Sequence, residues 1–290
     1  RECIEPAATI LDAWKVDSLR TEWWYACRLP VNWKLAQQAF QEQYHVVEAH
    51  PQLVIPGMRY SARPGEPFDP QRFVDAELQY LRTMSEGMGG MVHADDVRIA
   101  EGLREMELPA EPDLAMATWY RTLNDAVVDW HRAAGHDMPD LNELEVKGIN
   151  EPMGYCFPHY FVLPMYSSAS SYRFRPLGPE ETLMEIWSLA RFPEGSEPGK
   201  LTQPEVWEHD DPRWPPIPAQ DFSNLPRQQQ GLHAKGFEYM RLSEKAEGHL
   251  ANFERVLDGF LAGRPHEQLL PALQEVNVNP LERPVVDIEF

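Results

Sequence analysis

Two kinds of hydrophobic periodicity occupy different stretches of the 290-residue chain, and their segregation is the strongest constraint on its fold. Trp23, Tyr25, Cys27 and Leu29 alternate with other side chains up to Pro30, the period of two that marks a half-buried strand. Residues 160–166, 171–177 and 182–192 are rich in β-branched and aromatic side chains and separated by short Ser or Gly-Pro segments, which predicts consecutive antiparallel strands. Between these regions the period is helical. Asp69-Pro70 supplies an N-cap and first-turn pair for a helix running to Gly87, where a GMGGM loop interrupts it. Tyr120, Leu123, Val127, Trp130 and Ala134 then step by three and four residues before Gly135. Residues 54–140 therefore read as a largely helical excursion. Strands grouped in one part and helices in another, without a βαβ rhythm, predict an α+β fold with an antiparallel sheet.

Three further expectations follow from local signals. Asn32 caps a helix whose apolar residues Ala36, Ala39, Phe40 and Val47 share a face up to the stop at Pro51. The proline-dense stretch 193–218 reads as an ordered surface loop that delivers Asp221. Ser243 caps a last helix through Ala246, Leu250, Phe253, Leu257 and Phe260, with its apolar face set against the sheet.

Composition narrows the function classes. Hydrophobic residues make up 43% and aromatics 11% of the chain, enough to fill a core and line a pocket. With 26 basic against 46 acidic residues, the net charge of −20 repels phosphate backbones and anionic lipid head groups. No apolar run nears the roughly 20 residues of a membrane span and no signal-peptide pattern opens the sequence, so a cytoplasmic protein without nucleic-acid or membrane partners is expected. Cys3, Cys27 and Cys156 form neither a CxxC nor a CxH pair and are expected to be buried or idle thiols. No GxGxxG or G-x-S-x-G pattern occurs in the required context, which removes nucleotide-binding and serine-hydrolase readings.

The stretch Phe40-Gln41-Glu42-Gln43-Tyr44-His45-Val46-Val47-Glu48-Ala49-His50-Pro51 holds two histidines and a nearby carboxylate, donors suited to a transition-metal ion. Alone, the HxxxxH spacing is also that of solvated and core histidine pairs. Five residues turn a regular helix by about 140°, so both imidazoles reach one ion only if the helix is distorted or finishes between them. Pro51 fits a helix that is ending. Glu42 lies three residues ahead of His45, on the same helical face, where it can orient the imidazole. His93-Ala94-Asp95-Asp96 and His209-Asp210-Asp211 read as solvated loops, His159 as a packed strand-edge residue, and Trp130 as core packing.

Asn32-Trp33-Lys34, then Glu42-x-Tyr44-His45, then His50-Pro51 resembles the iron-binding segment of the Rieske oxygenase α subunits. Gln220-Asp221-Phe222-Ser223-Asn224-Leu225 followed by Gln229-Gln230-Gly231-Leu232 is similar to that family's third-ligand segment, and Tyr172–Gly178 to its central strand and turn. The resemblance runs over nearly the whole chain and is weakest at 54–140. It implies a helix-grip fold related to START lipid-transfer domains, an antiparallel sheet wrapped by helices. It implies Fe(II) held by His45, His50 and Asp221, with Glu42 as the electron-transfer bridge to a neighbouring cluster. O₂-dependent hydroxylation of an organic substrate, first of all an aromatic one as in aromatic hydrocarbon catabolism, is the implied reaction. Partners implied are a ferredoxin or reductase drawing on NAD(P)H and two further copies in a homotrimer. Ala39, Gln43, Trp214 and Phe222 are the matching substrate-pocket candidates. The family's N-terminal Rieske domain, with its [2Fe–2S] cluster, has no counterpart in the sequence, and the whole of 1–290 is expected to be the catalytic domain, the upstream part having been removed. The alternatives are a START-like module that binds an apolar ligand without redox activity, and a Rieske-type demethylase or monooxygenase acting on a non-aromatic compound.

Overall fold

The structure, a computed structural model, describes residues 1–42, 44–58, 67–150, 153–243, 245–278 and 283–289. Its centre is a six-stranded sheet in the order β2-β3-β4-β5-β1-β6. The strands β2 (Gly154–Cys156), β3 (Tyr160–Met165), β4 (Ser168–Gly178) and β5 (Glu181–Ala190) form an antiparallel meander. β1 (Arg20–Leu29) returns antiparallel to β5, with Trp24 opposite Trp187. β6 (Glu205–Glu208) lies parallel to β1, so the stretch 193–218 is not irregular throughout as the sequence predicted. Four residues are too few to show a period, and besides its pairing with β1 the one buried side chain of β6, Trp207, stacks on Tyr25 at 4.1 Å.

Alternation along the strands sends Cys27, Leu29, Phe161, Tyr172, Phe174, Met184 and Ile186 to one face. The helical excursion covers that face. α4 (Pro70–Gly87) begins where Asp69 accepts hydrogen bonds from the N–H groups of Gln71 and Arg72, as its sequence predicts. α5 (Ala94–Gly102), α6 (Pro112–Ala133) and α7 (Leu141–Val146) follow, after α1 (Ala7–Ala13), α2 (Trp33–Gln38) and α3 (Tyr44–Ala49) earlier in the chain. The buried stripe of α6 is Trp119, Leu123, Val127 and Val128, while Tyr120 and Ala134 of the predicted stripe are exposed and Trp130 is half-buried. The two stripes share Leu123 and Val127, and only packing against α4, α5 and α7 chooses between faces that lie side by side.

The C-terminal region departs further from expectation. Ser243 caps a turn, its hydroxyl accepting from Ala246 N at 3.2 Å, rather than a helix. α9 starts later, at Gly248–Leu261, and α10 (His266–Val276) follows it. α9 buries Phe253 and Val256 against Leu269, Leu273 and Val276 of α10, not against the sheet. A Cβ on Gly248 would stand 1.8 Å from the Arg283 carbonyl oxygen, so the segment 283–289 occupies the flank of α9. The result is an α+β fold in which helices grip one face of a mostly antiparallel sheet. Cys3 is exposed, Cys27 buried and Cys156 half-buried, all as free thiols.

Candidate metal centre

The metal segment begins at a helix that stops early. The Asn32 side chain accepts from Lys34 N at 2.9 Å and starts α2, as predicted, but α2 ends at Gln38. Tight i to i−3 bonds at Phe40 and Gln41 turn the chain, and a second short helix, α3, starts at Tyr44. One Glu42 carboxylate oxygen accepts from the His45 backbone N–H at 2.7 Å, in the manner of a cap. At the other end His50 N bonds Val46 O, after which φ −121° and ψ 66° at His50 take the chain out of the helix ahead of Pro51. The helix thus finishes between the two histidines, which removes the 140° mismatch.

Asp221 arrives from α8 (Pro216–Leu232), a helix that begins inside the stretch 193–218 predicted as a loop. Prolines at 216 and 218 look like helix breakers, yet in a first turn they forfeit only N–H groups that have no intrahelical partner. α8 also needs close approach to α4. A Cβ at Gly87 would lie 2.8 Å from Ile217 Cδ1, and one at Gly89, whose φ is +63°, 2.8 Å from Pro215 Cγ. The GMGGM loop is therefore the seat on which the N-terminus of α8 rests.

His45, His50 and Asp221 meet there, one ligand atom from each lying within 4.8 Å of the others. His50 Nε2 is 3.2 Å from Asp221 Oδ1. Each imidazole is anchored by its far nitrogen. His45 Nδ1 is 3.0 Å from Glu42 Oε1 and 3.1 Å from Glu42 O. His50 Nδ1 is 2.7 Å from Gln220 Oε1. Gln220 is itself held by a reciprocal amide pair, accepting from Gln52 Nε2 at 2.8 Å and donating to Gln52 Oε1 at 3.1 Å, so its oxygen faces His50. Acceptors at Nδ1 assign the N–H to that nitrogen and leave Nε2 of both rings as the donor towards a metal. Burial works against protonation of His50, but the hydrogen bond and charge of Asp221, with Gln220, outweigh it and hold the imidazole above its ordinary pKa. Three donors on one face of an octahedral ion at roughly 2.1 Å stand about 3 Å apart. The His50–Asp221 spacing already has that value, and the donor set fits a two-histidine, one-carboxylate facial centre with its other face open.

That open face looks into a cavity of about 1080 Å³ bounded by the inner face of the sheet and by α3, α4, α6 and α8. Glu42, His45, His50 and Asp221 line it, together with Phe40, Leu81, Met84, Tyr172 and Ile186. Of the predicted pocket candidates, Trp214, Phe222 and Ala39 do not. Trp214 and Phe222 pack edge to face at 4.9 Å behind α8, in a cluster with Trp207 and Tyr25. Phe222 follows Asp221 by one residue, about 100° round the helix, and so turns away from the cavity. Ala39 is likewise outside the cavity lining, and Gln43 falls outside the described residues.

Elsewhere the acidic segments divide. His209, Asp210 and Asp211 do lie in a turn, with Asp211 paired to Arg213, and His159 is half-buried edge-on to Trp33. Asp96, predicted to be solvated, is 1% exposed and lies 2.9 Å from His131 Nε2, while His93 pairs with Glu22 at 3.2 Å. Sequence reasoning also missed Gln220, whose one signal is its place beside Asp221, and the tyrosines of the cavity, which carry no local signal at all.

Residues 16–263 match the family model of the ring hydroxylating alpha subunit (catalytic domain). The chain belongs to this family. No curated protein matches it in sequence. As a ring-hydroxylating α-subunit catalytic domain it is an oxygenase domain of a non-haem iron family, and the His45, His50 and Asp221 cluster is compatible with that iron. No helix among its described residues is long and apolar enough to cross a membrane.

Proposed function

We propose that the chain is the catalytic half of a Rieske-type oxygenase, in which His45, His50 and Asp221 hold Fe(II) beside an organic, first of all aromatic, substrate that is hydroxylated with O₂. The observation that carries this reading is the convergence of two imidazoles, each with its far nitrogen anchored, and one carboxylate on the wall of a largely apolar cavity. Iron in this site supplies the activation of O₂ that the side chains cannot perform. The chain's own residues do the rest. Glu42 and Gln220 hold the imidazoles in one tautomer and orientation, Asp221 supplies negative charge, and Phe40, Leu81, Met84 and Tyr172 keep water away while presenting a substrate to the open face.

In this proposal residues 1–290 form one catalytic domain, and electrons come from a [2Fe–2S] cluster on a Rieske domain outside it, reduced by a ferredoxin or reductase that draws on NAD(P)H. Glu42, in contact with His45 and only 9% exposed, is the bridge to the cluster of a neighbouring subunit in a homotrimer. Elemental analysis of anaerobically purified, Fe(II)-loaded protein tests the centre. Stoichiometric iron is expected, and its loss in both His45→Ala and Asp221→Ala. An unmodified chain that takes up no iron overturns the proposal and leaves a START-like carrier of apolar ligands in its place. Mass analysis of the product made with a reconstituted reductase then separates dihydroxylation from monooxygenation or demethylation.

A further inference from the structure

The cavity has a second polar region, which the metal centre does not use. On α4, Tyr80, Leu81, Met84 and Met88 line the cavity, and one turn earlier Glu77 is 4% exposed. The hydroxyl of Tyr120, from α6, donates to Glu77 Oε1 at 2.9 Å. Tyr120 and Tyr166 are cavity-lining residues as well. Loss of hydration around the hydroxyls, followed by the charge of Glu77, raises both above the ordinary tyrosine range, although Tyr120 as a whole residue is 40% exposed. Among the described residues no Lys, Arg or His is paired with Glu77, and burial pushes its carboxyl up to about 7.

A carboxylate buried without a cation costs stability that a neutral residue of the same size would not. Its position decides what the cavity offers a ligand. Because the Tyr120 proton goes to Glu77, the Tyr120 oxygen is left with lone pairs, so this end of the cavity presents acceptors backed by negative charge. Arg121 and Glu145 also line the cavity, but both are exposed and of opposite sign. The overall charge of −20 adds to the bias against anions.

We propose that Glu77 and Tyr120 are specificity-determining residues of this cavity, selecting substrates whose apolar body ends in an N–H or O–H donor. Tyr120 meets the ligand, and Glu77 is a positioning residue that acts through it. The proposal rests on the cavity being the substrate site.

Calorimetric titration of the full, metal-free chain at pH 8 tests it with four probes sharing one apolar body: phenylbutylamine, phenylbutanol, butylbenzene and phenylbutyrate. The amine or the alcohol, or both, should bind at least about tenfold more tightly than butylbenzene, with phenylbutyrate weakest. A lead of the amine over the alcohol identifies a cationic head group, and equal binding a neutral donor. Tyr120→Phe should bring the donors down to the level of butylbenzene, and Glu77→Gln, which removes the charge behind Tyr120 but keeps an acceptor oxygen, should weaken the amine most, while both leave butylbenzene unchanged. Glu77→Gln should also raise Tm at pH 8, because it removes a buried charge that no cation among the described residues neutralises, whereas a purely structural Glu77 would lower it. Equal binding of butylbenzene and both donors, tightest binding of phenylbutyrate, or variants that weaken all four probes alike would overturn the proposal. Iron content is measured separately, so a chain that binds iron but ignores the donor group loses this inference alone, and one that prefers donors but takes up no iron loses only the oxygenase reading.

Discussion

Two buried histidine–aspartate pairs in this molecule have nearly the same geometry and different consequences. His131 Nε2 stands 2.9 Å from Asp96 Oδ1, and His50 Nε2 stands 3.2 Å from Asp221 Oδ1. Around the first pair every group is engaged. The second oxygen of Asp96 accepts from Ser167 N and Oγ, at 3.3 and 2.7 Å, and His131 Nδ1 meets His136 Nδ1 at 2.6 Å. This closed network ties α5, α6 and the β3–β4 turn together. Around the second pair, Gln220 and Glu42 hold the Nδ1 atoms of His50 and His45, and His45, His50 and Asp221 line the cavity. Among the described residues only that second group brings three ligand atoms together. A histidine–aspartate pair serves as a candidate metal centre through what its surroundings leave unsatisfied, not through the pair itself.

Exchanging the fates of the two aspartates is the strongest way to break this contrast. Asp96→Ala should destabilise the fold by roughly 3–5 kcal/mol, since it strands His131 and the Ser167 N–H in a buried site, and should leave the iron stoichiometry intact. Asp221→Ala should abolish iron binding while shifting the urea midpoint of the metal-free protein far less. If Asp96→Ala instead unfolds normally but loses iron, the two sites are coupled and the contrast fails.

The anchors of the imidazoles give the next effect in size. Glu42→Gln and Gln220→Leu should each weaken Fe(II) binding by roughly 10- to 100-fold in a competitive chelator titration, because a histidine that loses its outer partner loses both orientation and basicity. Unchanged affinity in both would mean that packing alone holds the rings. The smallest effect is expected on the closed side. His136→Ala removes one partner from His131 at a half-buried position and should cost about 1 kcal/mol in the same urea experiment, with iron affinity unchanged.

Legibility follows the range of the forces involved. Asp69-Pro70 marks the start of α4 because a cap acts on N–H groups two and three residues away. The strands β3, β4 and β5 are legible because alternation is a property of consecutive residues. The helix that finishes before Pro51, with histidines on both sides of its end, is local in the same way. The burial of Asp96 is not, since its partners His131 and Ser167 lie 35 and 71 residues away. Trp214 and Phe222 mislead for a related reason: nearness to Asp221 in sequence says nothing about which way a side chain turns once α8 is seated. β6 is missed because four edge residues paired with a distant strand carry no period of their own.

The sequence by itself determined the segregation of strands from helices, the caps of α2 and α4, the kinds of ligand available and the break that lets two histidines five residues apart act together. Those features are set by contacts within a turn or two of chain. Tertiary structure alone decided that Asp221 sits on a helix resting on Gly87 and Gly89, that Asp96 is sealed while Asp221 stays open, and that Glu77 and Tyr120 meet at the cavity. Each of those outcomes depends on which faces of distant elements pack together, and that is settled by burial summed over the whole core rather than by any stretch of residues read alone.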